Sequence, residues 1–157
     1  MVKWPLSLII SRKKIVHYQL LFRFLFYTKH IERIINNAWR QSNQLMKQYG
    51  CHLLYNRAAI LRGKMLNFVL NLQTYVTNEV IEPHWHTLMS TLKTVQNIDQ
   101  VLNAHDQFLE TCLRECHLTN KAIFKMVHKI MAQVTIYINY VNQIHRQVSR
   151  LIHLSSE

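Results

Sequence analysis

The chain has 157 residues, 49% of them hydrophobic, which suits one domain with a real core and is too apolar for a disordered chain. Two glycines and two prolines cannot supply the turns of a sheet protein, so long helices with few connections are expected. The net charge of +11 sits entirely in residues 1–64, where twelve Lys/Arg face one acid, Glu32, while residues 65–157 balance seven against seven. Such a basic segment suits an acidic partner surface or nucleic acid, and equally a solvated helix face.

Along the chain, Val2 to Ile10 alternates imperfectly around Trp4-Pro5 and reads as a short extended lead-in, since proline suits a strand start. Ser11 is placed to cap a first helix from Arg12 to Gln48, in which Tyr27, Ile31, Ile34/Ile35, Ala38 and Leu45 keep helical spacing. Between Leu20 and Tyr27 only Arg23 breaks the apolar surface, so packing on more than one side is expected there. Tyr49-Gly50 marks the stop. A second helix, Leu53 to Ile81, carries the stripe Leu54, Ala58, Leu61, Met65, Phe68, Leu72, Tyr75/Val76 and Val80. Pro83 ends it, and a short third helix runs from His84 to Val95.

Asn97 caps a fourth helix, Ile98 to His117, with Val101/Leu102, His105, Phe108/Leu109, Cys112/Leu113 and Cys116 as its buried stripe. Thr119 or Asn120 caps the last, which reaches about Leu154. There Ile123, Val127, Ile130, Val134, Tyr137, Val141, Ile144, Val148 and Leu151 alternate steps of four and three, a heptad seam. Packing within one chain is favoured over a two-chain coiled coil, because the other helices bring stripes that need cover. The fold class is all-α: a bundle of about five helices, two or three of them long, in one helical domain spanning residues 1–157.

The same residues exclude several chemistries. The apolar run Ile15 to Tyr27 is interrupted by His17, Gln19 and Arg23 and is too short to span a bilayer. The apolar opening runs into Arg12-Lys13-Lys14 without a small-residue cleavage site, and three cysteines, an odd number, suit a reducing compartment. His84 and His86, with Cys112, Cys116, His117 and His105, invite a metal reading. No zinc knuckle or H-E-x-x-H pattern holds them, and both cysteines fall on the apolar stripe. Eight acids leave few carboxylate pairs (Glu79 and Glu82 are three apart near a helix end), and Gly50 and Gly63 stand alone, so neither an active site nor a cofactor is expected. Tyr18, Phe22, Phe24, Phe26 and Tyr27 could stack on bases, but they cluster in the most apolar turns and are assigned to the core.

Particular strings carry the reading further. Trp4-Pro5-Leu6-Ser7-Leu8-Ile9-Ile10-Ser11-Arg12-Lys13, Tyr18-Gln19-Leu20-Leu21-Phe22-Arg23-Phe24-Leu25-Phe26 and Lys29-His30-Ile31-Glu32-Arg33 resemble the gamma-tubulin complex components, in particular the branch called component two. The resemblance continues through Met65-Leu66-Asn67-Phe68, Glu79-Val80-Ile81-Glu82-Pro83-His84-Trp85, Ile98-Asp99-Gln100-Val101-Leu102 and Cys112-Leu113-Arg114-Glu115-Cys116. In order and in register, these blocks cover about residues 3 to 120, and the last helix matches in character.

The resemblance implies a helical C-terminal domain that holds γ-tubulin alongside other complex components, at a centrosome or spindle pole in the cytoplasm. There the assembly nucleates microtubules and caps their minus ends. No small-molecule substrate and no membrane partner are expected, and nucleic acid is disfavoured as a partner. A basic surface would dock γ-tubulin, expected to be acidic as a tubulin, with Lys29, Arg33, Arg57, Arg62 and Lys64 as candidate contacts. Trp4, Phe68, Trp85 and Phe108 are assigned to the core rather than the contact. The alternatives from the residues alone are a coiled-coil adaptor using the last helix and a basic nucleic-acid-binding module.

Overall fold

The helices form where the apolar stripes place them. A computed structural model describes the backbone of residues 4, 6–49 and 52–155 and contains α1 (Leu6–Ile9), α2 (Arg12–Tyr49), α3 (His52–Thr74), α4 (Glu82–Leu92), α5 (Ile98–Glu115) and α6 (Lys121–Ser155). No strand occurs among the described residues. The lead-in differs from expectation: Leu6–Ile9 makes a single α-helical turn, because the chain ahead of Ser11 meets α5 rather than a neighbouring strand. Ser11 opens α2 as expected, its carbonyl accepting from the Ile15 amide at 3.1 Å. Asn120, not Thr119, caps α6, its Oδ1 accepting from the amides of Ala122 and Ile123 at 3.1 and 3.3 Å. Asn97 takes the extended cap backbone of α5, but its side chain makes no cap hydrogen bond, and Gln100 reaches back to the Gln96 amide instead. Gly50 and the side chains of Leu45, Leu54 and Leu151 lie outside the described residues.

Pro83 does not end the second helix. α3 widens into a π-helical stretch, Tyr75–Ile81, and runs directly into α4. In the π-helical stretch the Glu82 amide donates to the Thr77 carbonyl, five residues back. Pro83, which has no amide to donate, stands in the first turn of α4, directly after this change of spacing. Glu82 keeps helical backbone angles even though a proline follows it.

Two compact units are built from these helices. One comprises residues 1–26 and 72–126, the other residues 27–71 and 127–157. In the first, Leu21, Val76, Val80, Leu88, Phe108, Leu109, Cys112, Leu113 and Cys116 form the core, joined at its edge by Phe24, Leu25, Leu72 and Leu118. The stripe expected on α5 is thus the buried one. Polar contacts ring it: the Lys14 ammonium meets Asp106 at 2.9 Å, the Tyr18 hydroxyl meets His105 Nε2 at 2.8 Å, and His84 meets Glu115 at 2.7 Å. In the second unit Ile31, Ile35 and Ala38 of α2, Val69 of α3, and Met131, Val134 and Ile138 of α6 are buried.

Several side chains assigned to the core are outside it. Phe22 and Phe26 stack on each other at 5.8 Å and are each 65% exposed. They occupy the face of α2 opposite Leu21, and no described helix of that unit covers it. Trp4 is 79% exposed, while Trp85 and Phe68 lie at the edges of their units and Phe108 alone of the four is buried. On α6 the buried line is Met131, Val134 and Ile138, extended by the half-buried Val127 and Val141, so Ile130 and Ile144 of the expected seam turn outward. An apolar arc wider than the contact it serves leaves the choice of buried edge to the neighbouring helices.

Candidate partner-binding surface

The basic residues singled out from the sequence all fall in the second unit, between Tyr27 and Asn71. Lys29 and Arg33 stand one turn apart on α2, exposed, because the core line Ile31–Ile35–Ala38 turns them to the opposite face. Lys29 pairs with Glu32 at 3.0 Å, three residues on. With Asn36, Asn37 and Arg40, the three residues Lys29, Glu32 and Arg33 line a shallow open depression of about 390 Å³. Arg40, Asn36 and Asn37 were not singled out by sequence reasoning, yet the spacing 29, 33, 36/37, 40 is the helical period and could have found them.

Arg57 and Lys64 are exposed on α3, two turns apart. Arg62 behaves differently. It is half-buried, and its guanidinium lies 3.8 Å from the centre of the Trp39 ring, a cation–π contact that ties α3 to α2. The structure therefore gathers the five candidates in one unit but on separate helix faces: Lys29 and Arg33 on α2, Arg57 and Lys64 on α3, and Arg62 between them.

The electrostatics of this unit are one-sided. Glu32 is the one acid from residue 27 to 71, and none occurs from residue 127 to 155, where Lys129, Arg146 and Arg150 add positive charge. An anionic surface would meet little repulsion here, which raises encounter rates more than it raises final affinity. No group of three or more metal-ligating side chains occurs among the described residues. No helix among them is long and apolar enough to cross a membrane.

Residues 1–155 match the family described as gamma tubulin complex component C-terminal. The chain belongs to that family. It is 48% identical over 141 residues to gamma-tubulin complex component 2 of Mus musculus, covering 88% of this chain and 16% of the mouse protein. It is 43% identical over 132 residues to the component 2 homolog of Drosophila melanogaster, covering 80% of this chain and 15% of that protein. Against the spindle pole body component alp4 of Schizosaccharomyces pombe, identity is 35% over 158 residues, or 94% of this chain and 20% of the yeast protein. The chain thus spans a fifth or less of the length of these relatives. As a gamma-tubulin complex component C-terminal domain, it carries most of its basic excess in the second unit, and the Lys14–Asp106 and His84–Glu115 pairs lie in the first.

Proposed function

We propose that this chain holds γ-tubulin as a non-catalytic part of the gamma-tubulin complex, which nucleates microtubules and caps their minus ends at a centrosome or spindle pole. The observation that carries the reading is family membership across residues 1–155, with relatives named for the gamma-tubulin complex and the spindle pole body. The physical support is the basic second unit, where Lys29, Arg33 and Arg40 line one face of α2 and Arg57 and Lys64 project from α3. These five supply steering and rim contacts for an acidic tubulin surface, while Arg62 keeps its helix in place against Trp39. The mechanism is positional: the chain fixes γ-tubulin beside other complex components, and growth of the polymer follows from that arrangement.

The test is co-expression with γ-tubulin followed by gel filtration at moderate salt, with αβ-tubulin and bulk RNA as competitors. Co-elution that survives both competitors, and that weakens when Lys29 and Arg33 are both changed to Glu, supports the reading. A chain that is folded by circular dichroism yet never co-elutes with γ-tubulin overturns it for these 157 residues.

A further inference from the structure

We propose that the outward groove between α3 and α6 in the second unit docks an acidic amphipathic helix from another protein. Three contacts define how the helices of this unit face one another. Tyr27 stacks on His128 at 5.4 Å (α2 with α6), Arg62 lies over Trp39 (α3 with α2), and the Tyr137 hydroxyl reaches the Ala58 carbonyl at 3.5 Å (α6 with α3). Around α6, in steps of about 100° per residue, the His128 side leads through buried Met131, Ile138 and Val134 to Tyr137. Ile130 (39% exposed) falls just before Tyr137 on this arc, and beyond Tyr137, away from α2, come Ile144 (38%) and Tyr140 (62%). Around α3 the order runs from Arg62 through buried Val69 to Ala58. Beyond it, again away from α2, come Leu61 (42% exposed) and Phe68 (37%). Both apolar edges therefore flank the α3–α6 contact on its outer side.

The spacing and the charge specify the occupant. Leu61 and Phe68 are seven residues apart, as are Tyr137 and Ile144, so both walls repeat at the heptad period that a packed helix reads. The rims are cationic: Arg57 and Lys64 are exposed beside Leu61 and Phe68, and Lys129 is exposed on the face of α6 that carries Tyr140. Neither α3 nor α6 contains an acid. A second copy of the chain would set cations against cations, whereas a helix with acidic flanks satisfies both rims and completes a four-helix arrangement. The groove adds to the function proposed above and does not depend on it.

The probe is a fluorescein-labelled peptide with Ile and Leu at heptad positions a and d and Glu at e and g, compared with a twin carrying Lys at e and g. Anisotropy titrations with the whole chain should give saturable binding of the acidic peptide and none of the lysine twin. Tyr140→Ser and Leu61→Ser, at positions clear of the core, should each weaken binding about ten-fold without changing the melt. Lys64→Glu should weaken the acidic peptide with every apolar contact kept. No binding, equal binding of both peptides, or binding indifferent to all three substitutions overturns the proposal. So does sedimentation showing that the chain dimerises and that Tyr140→Ser abolishes the dimer. γ-Tubulin co-elution without peptide binding sinks the groove alone, and the reverse result sinks the γ-tubulin reading alone.

Discussion

Cys112 on α5 and Cys116 at its C-cap stand one turn apart, and burial pushes their thiols up to about 11 and about 12, with the charge of Glu115 adding to the effect. Neither is a thiolate near neutral pH, and the thiolate is the reactive form. In a Cys51→Ser chain, Ellman's reagent should therefore label no thiol until denaturant unfolds α5. Rapid labelling under native conditions would contradict the burial of this helix. His105 illustrates the opposite titration. Desolvation first, then the nearby Lys14 ammonium, lowers its pKa below the ordinary imidazole value, while Asp106 opposes them. The unfolded chain then binds this proton at a higher pH than the folded chain does. Stability is fully present above about pH 6.5, the ordinary imidazole value, and declines as the pH falls through the window down to the folded-state value. His145, lowered by burial alone, acts in the same direction. Melts at pH 7.5 and pH 5.5 should show the loss, and His105→Gln should reduce it; an equal loss in that variant would remove His105 as a cause.

For the elements, the buried line of α6 makes a discriminating prediction. Ile138 is 1% exposed and Ile136 is 60% exposed, two residues away on the same helix. Ile138→Ala should cost about 2–5 kcal/mol in urea unfolding, while Ile136→Ala should stay within about 0.5 kcal/mol. Similar costs at both positions would mean that the helix is rotated from the placement described. The π-helical stretch gives a second test, because Pro83 stands directly after it, in the first turn of α4. Pro83→Ala should therefore leave stability within about 1 kcal/mol, rather than producing the large gain expected from relieving a proline inside a regular helix.

At the scale of the whole molecule, the basic excess predicts how binding responds to salt. A γ-tubulin complex with a partly apolar interface should weaken gently between low and moderate salt. Nucleic acid bound through counterion release would be lost steeply, by orders of magnitude over the same range. A steep loss of γ-tubulin would point to a purely ionic contact and against apolar participation. We further propose that residues 1–157 melt as one domain, since α2, α3 and α6 each contribute to both compact units. Coincident far- and near-ultraviolet circular dichroism transitions would support this, and two separated transitions would refute it.

Much of the protein was legible in the residues themselves. The scarcity of glycine and proline, the 3.6-residue spacing and the cap at Ser11 determined an all-helical chain and set α2 to within a residue of its observed end. The α5 stripe was read correctly because its apolar arc is narrow: with one apolar face there is one way to bury it. The ordered blocks from Trp4 to Thr119 carried the family. What only the tertiary structure decided were the choices local pattern leaves degenerate. On α6 and α3 the apolar arcs are broader than one contact, so the neighbouring helices determined that Met131 and Val69 go inside and that Ile130, Tyr140, Leu61 and Phe68 stay on the rim. The exposure of Phe22 and Phe26 has the same origin: an aromatic side chain records its hydrophobicity in the sequence, but whether a surface covers it depends on residues distant along the chain. Pro83 was misread as a stop because the hydrogen-bond register it occupies is set by the preceding π-helical turn, which no proline rule applied to one residue can register.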